Sequence, residues 1–99
     1  MVYIGRFKEA SGDGYPSISE LVNETPHQEK QRIVDYLRSG RKIAAAAGSF
    51  KDALTGEVIP TEALVFTDGI YVWQSDLTYY VEKYNFTLPG RFVKHILEQ

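Results

Sequence analysis

Apolar residues recur along this chain with two periods, and each period predicts a different kind of element. Ala63-Leu64-Val65-Phe66-Thr67 and Ile70-Tyr71-Val72-Trp73 are β-branched and aromatic runs joined by Asp68-Gly69, a dipeptide suited to a type I′ turn. A two-residue loop there pairs Thr67 with Ile70, Phe66 with Tyr71, Val65 with Val72 and Leu64 with Trp73. One face of the hairpin then carries Val65, Thr67, Ile70 and Val72, and the other Leu64, Phe66, Tyr71 and Trp73. Both are apolar, so either the hairpin is covered on both sides or its aromatic side meets something outside the chain.

Helical spacing occurs three times. Thr25-Pro26-His27-Gln28 puts a hydroxyl at the N-cap, Pro at N1 and Gln at N3, a capping box opening a helix with the stripe Ile33, Val34 and Leu37 and a stop at Gly40. Ser75 caps a second helix, in which Leu77, Tyr80, Val81 and Tyr84 fall at i, i+3, i+4 and i+7 and which Asn85 ends. A third runs from about Pro89 to Leu97 with Phe92, Val93, Ile96 and Leu97 as its apolar face. Elsewhere, residues 2–7 alternate as an edge strand, 11–16 read as a loop and 17–23 as a short helical turn carrying Leu21 and Val22. Residues 43–47 read as a strand whose alanines let a neighbour approach closely, and 52–57 as a turn. The whole predicts one α+β domain over residues 1–99: a small antiparallel sheet, with a central hairpin at about 63–73, packed against about three helices.

Composition narrows the classes. With 99 residues, 43% apolar and 24% charged, the chain has the balance of a globular domain and enough length for one core. The absence of Cys removes disulfides, thiol nucleophiles and cysteine-ligated metals, and leaves the cytoplasm as the expected location. Arg6 interrupts the first residues before an apolar signal region can form, and no run approaches membrane-spanning length, so no membrane association is expected. The net charge of −2 is unevenly spread: residues 25–42 carry five basic against two acidic groups, and 43–69 one against four. Only Arg38, Arg41 and Lys42 resemble a basic cluster, too little for a nucleic-acid footprint.

Candidate chemistry is sparse. His27 and His95 are far apart, so neither a metal nor another cofactor is expected. Ser49, Thr55 and Ser75 have explanations as turn or cap, no nucleophile elbow accompanies them, and Gly48-Ser49-Phe50-Lys51 lacks the core of a phosphate loop. Asp68 and Asp76 flank the second hairpin strand and could form a carboxylate pair, although a turn and a helix N-terminus account for them. No catalytic residue is assigned. Contact residues are expected instead: Tyr79, which lies off its helix's stripe, Tyr71 and Trp73 if the aromatic face is open, and the acidic edge Asp52, Glu57, Glu62 and Asp68.

The C-terminal third, from Asp68-Gly69-Ile70-Tyr71-Val72-Trp73 through Ser75-Asp76-Leu77, Tyr79-Tyr80, Lys83-Tyr84 and Leu88-Pro89 to Phe92, resembles short uncharacterised bacterial proteins, some of them similar to immunity proteins of toxin systems. The resemblance carries no catalytic signature and transfers no site residue. It implies a small bacterial protein-binding module, an immunity- or antitoxin-like inhibitor that acts on a toxin by protein–protein contact. Two other readings stand beside it: a structural homodimer or small subunit that buries the aromatic hairpin face, and an enzyme with a carboxylate site.

Overall fold

Trp73 organises the fold: in the computed structural model, which describes residues 1–99, its indole is fully buried and Nε1 donates to the Leu37 carbonyl at 3.2 Å. Around it the chain forms β1 (Val2–Tyr3), α1 (Lys8–Ser11), α2 (Ile18–Leu21), α3 (Lys30–Arg38), β2 (Arg41–Ala45), β3 (Leu64–Thr67), β4 (Tyr71–Gln74), α4 (Asp76–Tyr84) and α5 (Gly90–Leu97). The sheet order is β1-β4-β3-β2, so the hairpin is central in an α+β fold. The sheet is mixed rather than antiparallel, because β1 runs parallel to β4, with the Val2 and Ile4 N–H groups donating to Ile70 and Val72 carbonyls at 2.9 Å. Three helices longer than one turn are joined by two single-turn helices, α1 and α2.

The hairpin closes one residue later than Asp68-Gly69 would dictate. Val65 pairs with Gln74, Phe66 with Trp73 and Thr67 with Val72, while the Asp68 N–H donates to the Tyr71 carbonyl at 3.3 Å, leaving Gly69-Ile70 as the loop. Gly69 has φ +100° and neither Asp68 nor Ile70 has a positive φ, which fits a loop of the II′ kind. The Asp68 carboxylate causes the displacement: Oδ1 accepts from the N–H groups of Ile70 at 2.9 Å and Tyr71 at 2.7 Å, so this side chain spans the loop from outside it. Because partners shift by two positions, side-chain faces are unchanged.

Tyr71 and Trp73 of the aromatic face are covered by the chain's own helices. Phe92 of α5 meets Tyr71 and Trp73 with ring centroids 4.7 and 5.7 Å away, and Tyr36 of α3 lies 6.2 Å from Trp73. Buried residues of α3, α4 and α5 share one core cluster with Tyr71 and Trp73, whereas Thr67 and Val72, on the opposite face, lie outside it. Helices therefore layer one side of the sheet, and Tyr71 and Trp73 of the aromatic face are buried within the chain itself.

Local signals also moved. The capping box forms at Ser17–Glu20, opening α2, rather than at Thr25. His27 instead starts α3: Nδ1 accepts from the Glu29 N–H at 2.9 Å, and its carbonyl accepts from Lys30 at 3.0 Å. Asn85 ends α4 in the left-handed region at φ 53°, as its position predicts. Close approach is supplied by Gly40, not by the alanines: a Cβ there would lie 2.6 Å from Trp73 Cζ2. The alanine strand β2 is an exposed edge with a bulge between Lys42 and Ala44, and its Arg41 and Lys42 discourage edge pairing. No helix is long and apolar enough to cross a membrane.

Candidate functional site

Asp52 sits 1% exposed in the turn-rich segment between β2 and β3, against α4. Its Oδ1 accepts from the Leu54 and Thr55 N–H groups at 2.8 and 3.2 Å, and Oδ2 from the Tyr79 and Tyr84 hydroxyls at 2.7 and 2.6 Å. Lys83 Nζ lies 3.9 Å away and donates to the Tyr79 hydroxyl at 3.1 Å. Burial alone would raise the Asp52 pKa, but the hydrogen bonds from Tyr84, Tyr79, Leu54 and Thr55 outweigh it and hold the carboxyl below its ordinary value. All its lone pairs are used internally, so Asp52 pins the loop to α4 and is not part of an acidic edge. Tyr80 strengthens the same clasp, its hydroxyl accepting from the Ala53 N–H at 3.0 Å.

Asp68 is likewise committed. Besides spanning the hairpin loop, its Oδ2 accepts from the Tyr36 hydroxyl at 2.5 Å and lies 3.0 Å from His95 Nε2. Burial is opposed by hydrogen bonds from Tyr36, Tyr71, Ile70 and His95, and the Asp68 carboxyl is held below its ordinary value. An ionised carboxylate only accepts, so Nε2 carries a proton toward it. This Tyr36–Asp68–His95 cluster ties α3, the hairpin and α5 together. An Asp–His pair serves as a catalytic base when the other ring nitrogen meets a nucleophile; here both polar contacts of the His95 ring are made through Nε2. No group of three or more His, Asp or Glu converges as a metal-binding set would.

The remaining contact candidates separate into buried and exposed. Trp73 and Tyr71 are 0% and 9% exposed, so neither is available as an anchor. Glu57 is exposed on the turn beside Asp52. Glu62, also exposed, lies with the half-buried Tyr79 on a groove of about 260 Å³ between β3 and α4. Half-buried Leu64 and Phe66 contribute its apolar floor, and Thr78 and the Arg38–Glu82 ion pair, 2.6 Å apart, form its rim. Leu64 and Phe66 belong to the hairpin's aromatic face, so the groove is where the helix layer stops short of covering that face.

Sequence reasoning missed Tyr36, His95, Tyr84 and Lys83. The first two join Asp68 from 32 and 27 residues away, and no local spacing encodes that. Tyr84 was legible only as a stripe residue. No protein-family model, curated protein or solved structure matches the chain.

Proposed function

We propose that the chain is a bacterial, cytoplasmic protein-binding module that acts by contact, as an immunity-like inhibitor of a toxin would, through the groove between β3 and α4. The observation carrying this reading is Leu64, Phe66 and Tyr79: three large apolar or aromatic side chains, half-buried together, with Glu62 and Glu82 beside them. Half-buried aromatics ringed by polar groups are the usual centre of a protein interface. Glu62 at the groove and the exposed Glu57 outside it favour a partner with a basic surface, and their field speeds encounter more than it deepens affinity. The two carboxylates best placed for acid–base chemistry, Asp52 and Asp68, are saturated by internal hydrogen bonds, which disfavours the enzyme reading.

Association kinetics with the partner test the proposal. Glu57→Lys combined with Glu62→Lys lowers the on-rate, and added salt does the same in the wild type. Thr78→Arg, which fills the groove without touching the Asp52 clasp, raises the off-rate at least about tenfold, consistent with loss of a central contact. Unchanged rates in both variants would refute the groove as the contact surface.

A further inference from the structure

Three carboxylates are withdrawn from solvent in this fold, and two of them, Asp52 and Asp68, are saturated with hydrogen bonds. Asp76, the first residue of α4, is different. No side chain donates to it and no cation lies within 4.0 Å; the N–H groups of Asp76 and Leu77 at the helix start are its favourable company. The carboxylate opens on a crevice of about 650 Å³ between α1, the start of α4 and the loop around Phe50. A smaller cavity of about 100 Å³ adjoins it toward Gly5, and Phe7, Ala10, Gln74 and Asp76 line both. Those N–H groups offset only part of the cost of drawing the charge out of water, and the side of the carboxylate that faces the crevice has no cation beside it.

We propose that the Asp76 crevice is a receptor site for an organic cation: an ammonium or guanidinium group carried by a small amine or by the Lys or Arg side chain of a bound polypeptide. The carboxylate supplies the counter-charge, Gln74 a further acceptor, and Phe7 with Ala10 the surface for the carbon stem. A single carboxylate suits one monovalent group and is too few ligands for a divalent metal.

Of the other charged groups around the crevice, none pairs with Asp76. Arg6, which lines the smaller cavity, stacks on the Tyr3 ring at 4.1 Å, and Lys51 lines the crevice as an exposed residue, farther than 4.0 Å from the Asp76 carboxylate. The Glu9 carboxylate takes the Ser17 hydroxyl and the Ile18 N–H, and Asp52 is clasped as described. The phenols of Tyr3 and Tyr80 also feel the Asp76 charge. Consistent with this geometry, desolvation pushes the Asp76 carboxyl up to about 6. The site shares no lining residue with the groove between β3 and α4, so either proposal can fail without the other.

The test is an NMR titration of the Asp76 carboxyl and the Gln74 side-chain amide, using butylammonium chloride in one arm and N-acetyl-arginine amide in the other, with sodium chloride as the control. The expected result is a saturable shift in at least one arm and a lowered Asp76 midpoint. Binding should be about tenfold weaker near pH 5 than near pH 7, as the ionised fraction falls. Asp76→Asn abolishes the shift, and Ala10→Leu, which fills the crevice without altering the carboxylate, weakens it at least about tenfold. A response to butylammonium alone supports an ammonium ligand, a small amine or a Lys side chain, and a response to the arginine amide alone supports a guanidinium. No shift beyond the sodium chloride control in either arm, or the same shift in Asp76→Asn, overturns the proposal.

Discussion

Asp52 and Asp76 are both drawn out of water, yet their surroundings give them opposite effects on stability. For Asp52, hydrogen bonds to the ionised form dominate and the folded pKa lies below the unfolded value. Its contribution, like that of Asp68, is complete above the unfolded carboxyl range and is lost as pH falls through the depressed folded values. Denaturant midpoints should therefore fall steeply below about pH 4. Tyr84→Phe, which removes one charge-assisted hydrogen bond from a buried carboxylate, should cost about 1.5–3 kcal/mol near neutrality, measured by urea unfolding. For Asp76 the folded pKa of about 6 lies above the unfolded value, so the folded state holds the proton more tightly and stability declines as pH rises through that interval. Asp76→Asn should accordingly be more stable than the wild type near pH 7, by about 1–2 kcal/mol, with the gain absent near pH 4.

At the scale of elements, the hairpin, the α4 and α5 helices and the turn around Asp52 were legible because their signals are local: β-branched runs, apolar stripes at helical spacing, Asn85 as a left-handed stop and Pro89 at a helix start. What was not legible depends on contacts between distant segments. The loop register was set by the Asp68 side chain and not by dipeptide preference, the capping box went to Ser17 while His27 took over at α3, and β1 joined the sheet in parallel. Those choices depend on what packs elsewhere, and a periodicity cannot carry them. The candidate site was less legible still: of the expected contact residues, Glu62 and Tyr79 share a groove, Glu57 stands apart and exposed, and Asp52, Asp68, Tyr71 and Trp73 hold the fold together. The β2 edge begins at a close approach between Gly40 and the indole of Trp73. Gly40→Ala should force that contact apart and cost about 1–3 kcal/mol in urea unfolding, with a loss of Trp fluorescence cooperativity.

For the whole molecule, one layer of helices covers one side of a four-stranded sheet, and two saturated carboxylate clusters lock loop and hairpin onto that layer. The two saturated carboxylates that look chemical are thus structural, and a groove where Leu64, Phe66 and Tyr79 emerge between β3 and α4 is left open. A photo-crosslinking amino acid at Thr61 or Thr78 reports directly on that groove, with Gln28, exposed before α3 and outside it, as the control position. In cells of the producing organism, Thr61 and Thr78 should both crosslink to one and the same polypeptide, Gln28 should not, and Glu62→Lys should reduce the yield. Equal crosslinking from Gln28, or none from either groove position, would contradict the groove as the contact surface.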